Sequence, residues 1–245
     1  MTVERMLPLM NTILFDLDGT LLPMDMEIFM KEYFKAICIK CKNIMEPAKF
    51  TESIWRSTEY MIRCKDKEKT NMTAFMEDFK TRIPVELEEI NPILEDFYMN
   101  EFKKLKAVAN PNQVVREIIE NLKVKGYNLV IATNPLFPRQ AILHRIEWAG
   151  LDPKDFILIT DYETMHYCKP QLEYYMEILT IIDKTPLECL MVGNDVQEDL
   201  AAEQLNIKTF LVTDHIINRN SYEARADHRG DYNELLQYVK QLPFL

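Results

Sequence analysis

The stretch ILFDLDGTLL, residues 13–22, decides the fold. An apolar run leads into Asp16 and Asp18, and Gly19 and Thr20 follow. Side chains two apart in an extended chain point the same way, so two carboxylates are aimed at one spot beside a buried strand. Like charges so placed repel and raise each other's pKa. The pair therefore asks for a partner of opposite charge, which must come from elsewhere in the chain.

Two textures lie downstream. Residues 24–108 read as helix after helix: Met26, Phe29, Tyr33, Phe34, Ile37 and Cys41 recur at spacings of three and four. Met72, Phe75, Met76, Phe79 and Ile83 do the same, as do Leu94, Phe97, Tyr98, Phe102 and Leu105. Pro47, Pro84 and Pro92 mark expected breaks. From about residue 110, apolar runs at 129–132, 156–159, 189–192 and 209–212 alternate with helical patterns near 112–124, 138–149, 170–182, 196–205 and 232–241. Continuous apolar strands alternating with helices predict a Rossmann-like parallel sheet with helices on both faces. The expected organisation is an α/β core from residues 1–22 and 109–245, with an all-α cap, 23–108, inserted after the first strand. None of the five glycines lies between residues 20 and 125, and Gly126 and Gly150 stand where helices should stop.

Composition narrows the function. The 245 residues carry a formal net charge of −10 with no basic tract, so neither a nucleic-acid backbone nor an anionic membrane is the expected partner. No apolar run reaches the ~18–20 residues of a membrane span. The opening MTVERMLPLMNTILFD lacks a secretory pattern and reads as the lead-in to a strand, which makes a cytoplasmic location the expectation. Five scattered cysteines read as reduced thiols, and Cys38 and Cys41, at CxxC spacing, as helix packing without a second pair to complete a metal site. His144, His166, His215 and His228 form no constellation. Phe29, Tyr33, Phe34, Trp55 and Phe75 read as core, and Cys168 as packing.

Ligands of open parallel α/β sheets bind beyond the carboxyl ends of the strands. There the sequence places Asp16, Asp18 and Thr20, then Thr133 and Asn134, then Asp161 with Lys169 after a loop, then Gly193, Asn194, Asp195 and Asp199. Oxygen donors without nearby His or Cys suit a hard cation, and Mg²⁺ is the default. Asp195 and Asp199, four apart at an expected helix start, would share a face. Phosphoryl transfer rests on positioning and charge neutralisation. Lys169 and Mg²⁺ would offset phosphoryl oxygens, while the Thr133 hydroxyl and loop N–H groups at 17–20 would donate to them. Asp16 would attack phosphorus, and Asp18 would protonate the leaving oxygen and then activate water.

Asp16-Leu-Asp18-Gly19-Thr20, Thr133-Asn134, Lys169-Pro170 and Gly193-Asn194-Asp195 with Asp199 resemble, in order and spacing, the four motifs of the haloacid dehalogenase-like (HAD) superfamily. The helical insert resembles its phosphoglycolate phosphatase-like branch. The resemblance implies that Asp16 is nucleophile and metal ligand, and that Asp18 is acid/base with its backbone carbonyl on the metal. Thr20, Thr133, Asn134 and Lys169 would serve the phosphoryl group, and Asp195 and Asp199 would hold the metal directly or through water. Gly19, Gly193 and Asn194 would support them. Many relatives carry Asp directly after the glycine of the fourth motif; here Asn194 stands there, and Asp195 is the expected ligand. Asp18, absent from the name-giving dehalogenases, argues against dehalogenation. The expected activity is Mg²⁺-dependent hydrolysis of a small phosphorylated metabolite. A phosphomutase and a non-catalytic binding protein on the same fold are the alternatives. Substrate identity and oligomeric state are not legible.

Overall fold

The computed structural model describes residues 9–219, 221 and 223–245. Residues 1–8 of the expected lead-in lie outside them. Its centre is a sheet of six parallel strands: β1 (Thr12–Phe15), β2 (Asn128–Ile131), β3 (Leu158–Ile159), β4 (Cys189–Gly193), β5 (Lys208–Val212) and β6 (His228–Gly230). Their spatial order is β3-β2-β1-β4-β5-β6, all pairs parallel, which is the Rossmann-like arrangement. The order reverses between β1 and β4, where Phe15 lies opposite Val192. A crevice opens at the carboxyl ends at such a switch point.

Alternation of side chains sends each strand's residues to two apolar layers. Ile13, Phe15, Leu129, Ile131, Leu190 and Val192 pack on one face against α5 (Gln113–Val124), α6 (Arg139–Trp148) and α8 (Tyr232–Gln241). Leu14, Val130 and Met191 pack on the other against α7 (Leu172–Ile181) and the 3₁₀ turn Asp199–Leu205. Both faces are covered, which is why the strands read as unbroken apolar runs. β6 was not legible in that way: its three residues, His-Arg-Gly, carry no apolar run.

Between β1 and β2 the chain is helical. α1 (Met26–Lys40), α2 (Pro47–Arg63), α3 (Asn71–Phe79) and α4 (Leu87–Asp96) are followed by a π-helical turn, Phe97–Glu101, and a 3₁₀ stretch, Phe102–Val108. Met24 bridges Ala109 where this segment leaves and rejoins the sheet. Pro92, an expected break, lies inside α4 instead. Proline removes one N–H and strains the preceding turn, and here Pro92 stands on the exposed side of the helix interior. The expected helix over 196–205 is also altered: a tight turn precedes 3₁₀ geometry from Asp199.

The helical segment and the sheet share one apolar cluster. The fully buried Phe102 stacks on Trp148 of α6 with centroids 5.4 Å apart and meets Phe29 edge-on at 6.1 Å. Phe102→Ala should therefore destabilise the protein by about 3–5 kcal/mol, because the cavity it leaves is walled by other rings that cannot collapse into it. Urea unfolding of the two proteins side by side measures this.

Candidate active site

Asp16 ends the central strand, its backbone N–H bonded to Val192 of β4 at 2.9 Å. Its Oδ1 accepts from Lys169 Nζ at 2.9 Å, and its Oδ2 accepts from Thr20 Oγ1 at 3.2 Å. Lys169 Nζ also donates to Asp199 Oδ1 at 2.6 Å. Lys169 is 1% exposed and Asp199 equally so. Burial by itself would push the ammonium pKa down, but Asp16 and Asp199 more than offset this and hold it well above its ordinary value. Burial pushes Asp199 up, with Lys169 opposing. The partner that the Asp16–Asp18 pair required is thus a buried lysine more than 150 positions away.

Asn134 and Thr20 are in the right place with different tasks from those expected. Asn134 Oδ1 accepts from the backbone N–H of Lys169 at 3.2 Å, and its amide donates to Glu198 at 3.0 Å. It ties down the loop that carries Lys169. Thr20 Oγ1 lies between Asp16 Oδ2 and Asn194 Oδ1, 3.0 Å from the latter. A hydroxyl has one proton, so it can turn from one acceptor to the other. Thr133 is buried at the end of β2, with its carbonyl taken by Thr160 and Tyr174. Nothing among the described residues engages its hydroxyl. Asp161, at the end of β3, is drawn away: it pairs with Arg139 at 2.6 Å and caps Thr164.

Asp195 departs most from expectation. Its Oδ1 accepts the backbone N–H groups of Gln197 and Glu198 at 2.9 and 3.0 Å, and its Oδ2 pairs with Arg219 at 2.7 Å. Asp199 Oδ2 reciprocates by accepting from the Asp195 N–H at 2.9 Å. The carboxylate thus caps a turn, as Asp does when free backbone donors lie two and three residues ahead. Asn194 turns toward Asp16 instead, through Thr20, and its amide donates to the His215 carbonyl at 2.6 Å. Two glycines permit this. Gly19, at φ +83°, would drive a Cβ into the Asn194 side chain, and Gly193 would drive one into the Asp199 carboxylate.

Asp18 has a partner that the sequence reading missed. Arg145, buried on α6, forms an ion pair with Asp18 Oδ2, and its guanidinium lies 4.6 Å from the centre of the Phe137 ring. The signal was present: Arg145 follows Ala141 and Ile142 at helical spacing on the face that α6 buries. Among the described residues, one guanidinium nitrogen of Arg145 and Oδ1 of Asp18 are buried without partners. Burial pushes the Asp18 carboxyl up to about 6, with Arg145 opposing and Asp16 reinforcing.

These donors suit a hard cation. The Asp16 carboxylate, Asn194 Oδ1 and the Asp18 carbonyl are all oxygen. Among the described residues no three His, Cys, Asp or Glu side chains form a ready-made cage. The reasons are visible: Lys169 separates Asp16 from Asp199, and Asn194 carries an amide in place of a charge. Mg²⁺ does not need a full cage, because it keeps waters and takes substrate phosphate oxygens. No helix among the described residues is long and apolar enough to cross a membrane.

A Rossmann-like sheet with a carboxylate pair ending its central strand, set against a buried lysine, defines the class. A model described as haloacid dehalogenase-like hydrolase matches residues 10–206, and the chain belongs to that family of enzymes. It is 24% identical over 214 residues to Pyrophosphatase PpaX of Bacillus cereus, covering 87% of this chain and 88% of that one. Among solved structures the fold is shared with a predicted phosphoglycolate phosphatase of Haemophilus somnus (TM-score 0.58, 17% identity, 94% and 97% of the two chains). It is also shared with a HAD phosphatase of Thermococcus onnurineus (TM-score 0.58, 18% identity, 96% and 100%).

The raised Asp18 pKa has a consequence for stability. A carboxyl raised from 3.8 to about 6 on folding stabilises fully below pH 4, and that contribution is lost as pH rises through 6. Asn at this position mimics the protonated acid. In EDTA, the stability of the native protein relative to Asp18→Asn should therefore fall between pH 4 and pH 7, by on the order of 3 kcal/mol. Urea titrations at the two pH values test this; a constant difference would refute it.

Proposed function

We propose that the protein is a phosphatase that hydrolyses a phosphoester through an aspartyl-phosphate on Asp16, with Mg²⁺ as cofactor. The observation that carries this is the unequal hold on the two oxygens of Asp16. Oδ1 is fixed by the buried ammonium of Lys169, whereas Oδ2 has only a hydroxyl that can turn to Asn194. Oδ2 is thus the free nucleophile, and Lys169 holds the group in orientation through Oδ1. The phosphatase names among the similar proteins favour the same reading.

In the first step Asp16 Oδ2 forms a bond to phosphorus as the bond to the leaving oxygen breaks. Asp18 gives that oxygen a proton from Oδ1, the buried oxygen left without a partner, while Arg145 holds Oδ2. In the second step Asp18, now a carboxylate, takes a proton from water. The water attacks phosphorus, and Asp16 is released with phosphate. The Thr133 hydroxyl and the loop N–H groups near Asp18 orient the phosphoryl oxygens, and Lys169 neutralises part of their charge. When bound, Mg²⁺ would be held by Asp16, Asn194 and the Asp18 carbonyl and would supply further charge neutralisation. The helical segment 23–108 acts in this reading as a cap that excludes bulk water.

Phosphate release from an aryl phosphate should vanish with EDTA and with Asp16→Asn. Asp18→Asn should retain a slow first step, down by about 10²–10⁴-fold. Rapid-quench trapping of phosphorylated protein separates the two; release that survives both EDTA and Asp16→Asn would exclude the mechanism. Asn194→Asp, by adding a charge to the metal's donor set, should lower the Mg²⁺ concentration for half-maximal rate by about tenfold or more. Asp195→Asn should leave that concentration unchanged, because its carboxylate caps a turn. A Mg²⁺ titration of the two variants measures both.

A further inference from the structure

A cavity of about 760 Å³ lies between the helical segment and the carboxyl edge of the sheet. It borders the site at two places. Phe137 lines it and also stacks on Arg145, the partner of Asp18. Arg219 lines it and also pairs with Asp195. A phosphoester whose phosphorus lies at Asp16 would therefore direct its leaving group into this space.

The chemistry of the walls is one-sided. Methionines 26, 30, 72, 76 and 99 line it, together with Phe34, Trp55, Phe75 and Tyr98. Trp55, expected in the core, is instead 47% exposed, and Phe34 and Phe75 are only partly buried. These rings and thioethers form the surface of a space rather than the filling of a core, and methionines adapt to varied apolar shapes. The charged groups on the walls are two carboxylates and one guanidinium that is already paired. Glu95 is an exposed carboxylate, Glu163 is occupied by the Arg139 N–H at 2.9 Å, and Arg219 is held by Asp195 and Glu198. Neutral polar groups on the walls come from Thr58, Gln140 and Asn91, whose Oδ1 is buried without a partner among the described residues.

We propose that the substrate of this site is the phosphomonoester of a bulky, uncharged, apolar alcohol, aromatic or long-chain, rather than a polyhydroxylated or second anionic group. The proposal rests on the phosphatase reading above. A diphosphate or a short hydroxy acid has no apolar surface to bury here and would bring a charge that Glu95 repels. An alkyl or aryl body gains from each carbon it removes from water.

The test has two readouts. Phosphate release is measured with ethyl, butyl, hexyl and octyl phosphate, beside glycerol phosphate, phosphoglycolate, phosphocholine and pyrophosphate. Binding of 1-octanol, which needs no chemistry, is followed by the fluorescence of Trp55, with Trp55→Phe as the control. We expect kcat/KM to rise by up to about fourfold per methylene, the equivalent of ~0.8 kcal/mol per buried CH₂. Octanol should shift the fluorescence of the native protein and not that of the control. Trp55→Ala and Met99→Ala, both at half-exposed positions of the lining, should flatten the series. A flat series without octanol binding, or a preference for any of the four polar or charged substrates, would overturn the proposal and leave the phosphatase reading intact. Octanol binding without phosphate release from any ester would overturn the phosphatase reading and leave the apolar site standing.

Discussion

The ammonium of Lys169, buried between Asp16 and Asp199, is the constraint on which the rest of the site depends. An ammonium taken out of water without partners is far too costly for a fold to carry, and two carboxylates side by side without a cation are nearly as unfavourable. Each group makes the others tolerable. The loop that carries Lys169 is therefore tied down through Asn134, and the turn that carries Asp199 through the Asp195 N–H. Gly193 must lack a side chain so that Asp199 can reach inward. Much of what surrounds the site follows from holding three charged atoms within hydrogen-bond distance in a dry place.

A second ion pair joins the site to the helical segment. Arg145 meets Asp18 on one side and the ring of Phe137 on another, and Phe137 packs against Tyr33 of α1 at 5.3 Å. The Asp18 carboxyl, a buried guanidinium and an aromatic wall of the cavity thus form one contiguous chain. In the proposed mechanism, what fills the cavity is felt at Asp18 through packed side chains, which gives the leaving-group pocket a physical route to the group that protonates the leaving oxygen.

Much of the architecture was legible because it rests on short-range pattern. Apolar strands of four or five residues alternating with helices announce a doubly covered parallel sheet. The candidate site was legible in part, since polar residues after those strands must converge on one edge. What the pattern could not carry was the direction of each side chain. Asp195 and Asn194 are adjacent, and which of them faces Asp16 depends on a turn whose N–H groups capture the Asp195 carboxylate. Arg145 is not singled out by pattern, because charge on a helix usually faces water. Trp55 and Phe75 read as core because periodicity reports only that a face is apolar, not whether another surface fills it.

By itself, then, the sequence determined the sheet, the helical insertion and the set of groups brought to one edge, because these follow from the period of hydrophobicity and the chain order. Only the tertiary structure decided the pairing of Lys169 with Asp16 and Asp199, of Arg145 with Asp18 and of Arg219 with Asp195, and left the apolar cavity between the segments. Those outcomes depend on contacts between residues far apart in the chain, where electrostatic partnership and packing volume choose among arrangements that local pattern leaves equal.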